Sequence, residues 1–452
     1  MLGNLACRKT DKIDTSPGLH LAFSTDTVFF DTVFPSIGSV TQRLIVHNLN
    51  KNKVSVASIQ LAGGQSSNYR INVNGTPAIS ASDVEIAGGD SIFIFVRVTI
   101  DPNSQDIPIV VTDSIEFLTN GSLQNVKLVS WGRNAIFYRK AKLKGNITWD
   151  SLRAHVIYDS LRIDTNSTLT IMPGTRVYFH KDAWMAVSFN ATLKIHGITG
   201  IPVTFQGDRM DPFYKDLPGQ WGGIYLERGS KDHEVINAII KNGSFGFSVD
   251  SLGAAGNPMV TITNSIIRNM TSDGIYAYGS SITSTNCVIG DCGGSSIYIE
   301  YGGSYDFKQL TVGNYWFSSV RHGPAIRLSN YTYDKAVQVP NPLIKAYFGN
   351  AILYGASDEE LGLDSVAGTQ FNYKFENTIL KTGIKTGNSS RYVNCLINKN
   401  PRFKEVVKWD YRIDSISPAI DKGLDLGIPK DIVGNDRTGL PDLGAYEYVK
   451  KN

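Results

Sequence analysis

Asn237-Ala238-Ile239-Ile240, Asn264-Ser265-Ile266-Ile267, Asn286-Cys287-Val288-Ile289, Gln309-Leu310-Thr311-Val312, Asn350-Ala351-Ile352-Leu353, Asn377-Thr378-Ile379-Leu380 and Asn394-Cys395-Leu396-Ile397 are versions of one four-residue unit. They follow one another at 27, 22, 23, 41, 27 and 17 residues. Each couples an amide side chain to a short β-branched or aliphatic run, and Gly-rich turns lie between. A period in the twenties with one short strand per unit is the mark of a solenoid, in which each repeat buries its face only against its neighbours. The 41-residue step after Gln309 places an insertion within residues 313–345. Inserted loops often build a solenoid's binding face.

Leucine-rich repeats share the period but need Leu-x-x-Leu-x-Leu, which is absent. A right-handed parallel β-helix fits instead. An Asn recurring once per coil can stack as a ladder, each amide bonding the next, and Asn tolerates the left-handed backbone of a sharp bend. Asn237, Asn264, Asn286, Asn350, Asn377 and Asn394 are the expected structural ladder. The following position is mostly small: Ala238, Ser265, Cys287, Ala351, Thr378 and Cys395, with Leu310 the exception. That column reads Cys287 and Cys395 as packing residues.

Working outward, residues 19–140 contain alternating runs such as Ser91-Ile92-Phe93-Ile94-Phe95-Val96-Arg97-Val98, cut by Gly63-Gly64, Asn74-Gly75 and Asn120-Gly121. Their density predicts an immunoglobulin-like β-sandwich without the Cys–Trp–Cys pattern of antibody domains. The segment resembles bacterial immunoglobulin-like modules carrying Gly-Asp-Ser before a long apolar strand, here Gly89-Asp90-Ser91. The whole chain therefore reads as all-β: a tether over 1–18, the sandwich over 19–140, the β-helix over 145–400 and a cap over 401–452.

Leu169-Thr170-Ile171-Met172-Pro173-Gly174-Thr175, Leu193-Lys194-Ile195-His196-Gly197, Ile201-Pro202-Val203-Thr204-Phe205 and Trp221-Gly222-Gly223-Ile224 resemble the opening coils of bacterial pectin-lyase-like β-helix proteins. Ser417-Pro418-Ala419-Ile420-Asp421-Lys422-Gly423, Asp431-Ile432-Val433-Gly434, Arg437 and Pro441-Asp442-Leu443-Gly444-Ala445-Tyr446-Glu447 resemble the closing cap of Bacteroidota surface lipoproteins. The resemblance spans residues 145–448 and implies architecture, since this fold hosts lyases, hydrolases, adhesins and spacers.

Ala6-Cys7 followed by Arg8-Lys9-Thr10-Asp11-Lys12 resembles the tail of a bacterial lipoprotein signal, although Asn4 stands where that family carries an aliphatic residue. The resemblance implies a lipid anchor on Cys7, a hydrophobic signal encoded upstream of Met1, and an outer-membrane, surface-exposed location. Composition adds exclusions. Across 452 residues, 44 basic and 41 acidic side chains give a net charge of +3, which disfavours nucleic acid and provides no global attraction for acidic polysaccharides. No Cys-x-x-Cys or His-x-x-x-His pair is present, so no metal or other cofactor is expected. The Gly-x-x-x-x-Gly-Lys-Ser/Thr and Gly-x-Ser-x-Gly motifs are missing too.

Chemistry is sparse. The Asp, Gly-His-Gly and Arg-x-Lys set of β-helix polygalacturonases is absent; the nearest fragments are Ile195-His196-Gly197 and Arg321-His322-Gly323. Asp273, Asp291, Glu300, Asp306, Arg321, His322 and Arg327 fall on neighbouring coils. Among them Asp273, Glu300, Arg321 and His322 are the catalytic candidates, because steps of 27 and 21 residues put Asp273, Glu300 and Arg321 near one flank. Solvated turn positions would give the same letters. Tyr276, Tyr278, Tyr298, Tyr301, Tyr305 and Trp316 are the ligand-binding candidates: exposed aromatic rings can stack on the C–H faces of sugars. Cross-coil stacking that only stabilises the sheet is the alternative. The reading that follows is a non-catalytic surface lipoprotein binding a glycan or an outer-membrane protein partner, with a polysaccharide lyase or glycoside hydrolase as its rival.

Overall fold

The computed structural model describes residues 12–33, 41–99, 109–132, 135–209, 214–250, 258–387 and 390–450. Cys7 lies outside them. Among the described residues the protein is built of β-strands with two short 3-10 turns, and the chain divides into two compact units, residues 1–135 and 136–452.

The first unit is a sandwich of two five-stranded sheets. One runs in the order Ala22–Phe23, Gln42–His47, Ser91–Val98, Tyr69–Val73, Thr76–Ala78; the other runs Thr27–Val33, Ser122–Gly132, Ile109–Thr119, Val54–Leu61, Ser80–Ile86. Strand alternation sends Ile92, Ile94, Val96 and Val98 inward, where they meet Leu44, Val56, Ile59 and Phe117 in one apolar core. Residues 13–16, expected within the tether, are joined to the sandwich. Ile13 already pairs with Lys53, and the Asn120 amide donates to the carbonyls of Asp14 (2.8 Å) and Ser16 (3.1 Å).

The second unit is a parallel β-helix. Its 26-stranded sheet includes Ala135–Leu143, of which residues 135–140 fall within the range expected for the sandwich. Tyr138 anchors that strand by stacking 5.1 Å from Trp149 and bonding His155 Nδ1 at 2.9 Å. Cα register runs Ile240, Ile267, Ile289, Val312, Leu353, Leu380, Ile397 up one interior column. Those steps equal the spacings of the Asn units, so each unit contributes one strand per coil. Inside, Phe307, Phe348, Phe375 and Tyr392 stack with centroids 5.0, 5.0 and 5.6 Å apart. The 41-residue step accommodates an antiparallel hairpin, Tyr331–Asp334 with Val337–Pro340.

Asn237, Asn264, Asn286, Gln309, Asn350, Asn377 and Asn394 all have φ between 45° and 52°. The left-handed bend is therefore what selects Asn here. The expected amide-to-amide ladder is a different matter: only Asn394 donates to its neighbour Asn377, at 3.4 Å. Three of the other amides turn outward to the C-terminal segment. Asn377 donates to the Lys422 carbonyl and Asn350 to that of Leu424, both at 2.7 Å, while Asn286 donates to the Lys430 carbonyl at 2.7 Å. The segment expected as an end cap thus runs back along the bends as a strap over several coils. Its backbone needs polar partners along its length, and the bend amides supply them.

Candidate functional site

Strand alternation decides which side chains can meet a ligand. In Ile275–Thr285 and Ile297–Lys308, the odd residues Ile275, Ala277, Ile297 and Ile299 are buried, and Tyr276, Tyr278, Tyr298 and Glu300 between and beside them face outward. In register, Ser248, Tyr276, Tyr298 and Arg327 form one outer column, and Asp250, Tyr278 and Glu300 form the next. The Tyr276 and Tyr298 rings meet edge to face at 5.4 Å, with the Arg327 guanidinium 4.5 Å from the centroid of Tyr298. Tyr278 stacks on Tyr301 at 4.9 Å.

Glu300 shares this face with Asp250 and is held from two sides. Tyr276 donates to its Oε2 at 2.7 Å, and Thr332 of the inserted hairpin donates to its Oε1 at 2.8 Å. Burial, then the adjacent carboxylate, pushes the Tyr276 phenol well up, and burial raises Tyr298 to about 12. Both hydroxyls therefore remain protonated at neutral pH; Tyr276 gives its one hydrogen to Glu300, so its oxygen is left to accept from a sugar hydroxyl.

Tyr301 and Tyr305 share the inward parity, yet they part company. Tyr301 has φ 63°, the first of three left-handed residues that continue through Gly302 and Gly303, and this turns it out toward Tyr278. Tyr305 stays inside at 1% exposure, its hydroxyl accepting from Ser280 N (3.1 Å) and donating to the Gly302 carbonyl (2.9 Å). It is a core residue, not a ligand contact. Trp316 is 9% exposed and donates to Ser319 Oγ at 2.9 Å. It borders a cleft of about 460 Å³ with Arg321, Pro324 and Glu359, whose lining includes none of these tyrosines.

The catalytic candidates do not converge. Asp273 accepts from Ser295 N at 2.7 Å and from Ser272 Oγ at 3.3 Å, pinning one coil's turn to the next, and burial raises its carboxyl. Arg321 pairs at 2.8 Å with Glu360, which is fully buried and also accepts from Ser357 N and Ala325 N. His322 is exposed, and its backbone N–H donates to the Gly293 carbonyl at 2.9 Å. Of the wider set, Asp306 pairs with Lys345 and Lys308, and Asp291 is buried under the strap with Tyr411 donating to it. Only Glu300 and Arg327 join the tyrosine face. Among the described residues no group of three or more His, Cys, Asp or Glu is arranged to hold a metal.

Three features escaped the sequence. Glu360, in Asp-Glu-Glu, is a buried partner of Arg321 that no motif marked. Tyr225, one coil beyond Ser248 in the outer column, extends the face toward Trp184, with ring centroids 6.0 Å apart, and the Arg162–Glu227 pair. A second file five residues after the first, Asn242, Asn269, Asp291 and Asn314, holds one amide-to-amide bond as well: Asn269 donates to Asn242 at 2.8 Å. The shared offset was the available signal.

Residues 190–317 match the family described as right handed beta helix region. That match takes in the coils from residue 190 to the start of the inserted loop, with Tyr276, Tyr278, Tyr298, Glu300 and Tyr301 among them. No curated protein matches the chain. Among solved structures, the chain aligns with a family 123 glycoside hydrolase from Clostridium perfringens at 9% identity and TM-score 0.20, spanning 29% of this chain and 30% of that one. The Agl-KA catalytic domain aligns at 12% identity and TM-score 0.29 over 80% of each chain. A GH87 alpha-1,3-glucanase catalytic domain in complex with tetrasaccharides gives 11% identity and TM-score 0.18 over 78% and 90%. At these scores the similarities carry no argument about chemistry.

Proposed function

We propose that this chain is a non-catalytic glycan-binding protein held at the outer-membrane surface by a lipid on Cys7, presenting the outer β-helix face around Tyr276, Tyr278, Tyr298, Tyr301, Glu300 and Arg327 to its ligand. The observation that carries the reading is the alternation of half-buried tyrosine rings with the Asp250 and Glu300 carboxylates and the Arg327 guanidinium on one parallel sheet. Rings supply flat apolar contact at low entropic cost, and Glu300 and Arg327 supply orientation. The other candidate acids and Arg321 are committed to hydrogen bonds or ion pairs that join coils. Glycan binding to immobilised polysaccharides, compared between the native chain and Tyr298→Ala, tests it: the variant folds normally and loses retention. A Tyr298→Ala chain that binds every glycan as the native chain does removes this face from the account.

The hydrolase reading has one specific support. Asp250 and Glu300 occupy the same outer column on either side of Tyr278, two coil rises or roughly 9–10 Å apart at the backbone. That spacing approaches the separation inverting glycosidases use. New reducing ends that vanish in both Asp250→Asn and Glu300→Gln would establish it. The lipid anchor is tested separately, by mass spectrometry of the protein from its native membrane; an unmodified Cys7 removes it.

A further inference from the structure

The sandwich segregates charge between its sheets. The sheet built from Ala22–Phe23, Gln42–His47, Ser91–Val98, Tyr69–Val73 and Thr76–Ala78 holds Arg43, Arg70 and Arg97 and not a single Asp or Glu. The strands of the opposing sheet carry Asp31, Asp83, Glu85, Asp113 and Glu116 against one cation, Lys127. A near-neutral chain therefore presents one locally cationic face.

Register builds that face into a site. Arg43 opposes Phe95 across the strands, Asn72 opposes Phe95 from the other side, and Arg70 opposes Arg97 directly. All three arginines are exposed, and Phe93 and Phe95 are 41% and 40% exposed on the same outward side. Two like charges placed opposite each other in adjacent strands repel unless an anion lies between them. Arg70 is held in place, its Nη1 donating to the carbonyls of Ser67 (2.6 Å) and Tyr69 (2.7 Å). Arg43 rests 5.4 Å from the Phe93 ring, and no described residue accepts a hydrogen bond from Arg43 or Arg97. Across this sheet lies an open groove of about 710 Å³ lined by Thr41, Arg70, Asn72, Pro77, Phe95 and Arg97.

We propose that this groove binds an anionic polysaccharide, a second ligand site independent of the β-helix face. Guanidinium forks recognise carboxylate or sulfate groups in bidentate fashion. Exposed Phe95, which lines the groove beside Arg70 and Arg97, offers the flat surface that sugar rings require and that a lipid headgroup or an isolated anion does not use.

The test uses the full chain, with polygalacturonate as the carboxylate probe, dextran sulfate as the sulfate probe, neutral dextran as the control, and phosphatidylglycerol vesicles as the membrane probe. Affinity electrophoresis is expected to show retention by at least one acidic polymer that weakens with salt. Which polymer retains the chain distinguishes carboxylate from sulfate. Arg70→Gln/Arg97→Gln, or Arg97→Gln alone if the double variant is unstable, lowers that affinity by roughly tenfold or more. Phe95→Ala lowers it as well. Lys142→Gln/Lys144→Gln, an equal charge change at exposed positions outside the sandwich, leaves it unchanged. The proposal is overturned if neither acidic polymer is retained, if the lysine variant loses as much affinity as the arginine variant, or if only the vesicles bind.

Discussion

Arg437→Met is expected to release the C-terminal strap from the β-helix. The guanidinium is 2% exposed and sits at the centre of the contact between strap and bends: Nη1 donates to Glu447 at 2.6 Å, and Nη2 donates to Asn286 Oδ1 at 3.1 Å and to the Gly444 carbonyl at 3.0 Å. The Gln309 amide oxygen faces the same group at 3.2 and 3.3 Å, its NH2 facing the Asp442 and Asn350 carbonyls. Burial raises the Glu447 carboxyl and lowers Arg437, so desolvation opposes both charges and their mutual attraction offsets it. Methionine fills the volume but leaves a carboxylate, 10% exposed, without its cation. Breaking a buried pair from one side costs roughly 3–5 kcal/mol. About 3 kcal/mol corresponds to roughly two orders of magnitude in an opening equilibrium. Hydrogen exchange measured by mass spectrometry reads this locally. Amides of residues 417–448 lose about a hundredfold protection, while those of the Ile240–Ile289 column change little. Arg437→Met/Glu447→Leu recovers most of the loss, because the stranded charge is gone. Strap protection in Arg437→Met that stays close to the native value would refute the reasoning.

Other expectations follow from single contacts. Burial raises the Asp291 carboxyl to about 7 in the folded protein, above its ordinary 3.8, against smaller opposing pulls from the Tyr411 hydroxyl and Arg268. A raised folded value means this group's contribution is complete below about pH 4 and is lost as pH rises through about 7. Asp291→Asn, which restores the residue type of Asn242 and Asn269 at φ 52°, flattens that slope and raises Tm at about pH 8 with little change at about pH 4; identical pH profiles would contradict it. Tyr305→Phe removes a buried hydroxyl with two partners and costs about 1–2 kcal/mol in denaturant unfolding while sparing glycan retention, the reverse of Tyr298→Ala. At Gly303, φ is 115° and an added Cβ would lie 2.2 Å from the Ser280 carbonyl oxygen. Gly303→Ala therefore lowers stability by roughly 3 kcal/mol or more, and a Tm within about two degrees of native would show that this bend relaxes freely.

What the sequence revealed depended on how local the cause was. The Asn bends were legible because a left-handed residue is a property of one position, and repetition made it visible. The coil register followed from the same spacing. The partners of those amides were not legible, since Asn350 meets Leu424 and Asn286 meets Arg437 across 74 and 151 residues. The tyrosine face was half legible. Alternation alone puts Tyr276, Tyr278 and Tyr298 outside and, carried on from Ile297 and Ile299, puts Tyr305 inside. Tyr301 breaks the alternation through its own backbone angle, which Gly302-Gly303 hinted at and did not fix. Arg321 was read beside Glu300 from coil spacing, whereas its actual partner, Glu360, belongs to the coil beyond the insertion. Spacing within a solenoid locates a residue around the coil only when no loop intervenes.

The central claim, that the outer face of the β-helix binds glycan without cleaving it, meets its most direct test in one experiment. The purified chain and its Tyr298→Ala and Glu300→Gln variants are incubated with a polysaccharide panel, and bound glycan, new reducing ends and unsaturated products are measured on the same samples. The account predicts saturable binding that Tyr298→Ala abolishes, with no product from any chain. Reducing ends or unsaturated sugars that the native chain releases and Glu300→Gln does not would contradict it.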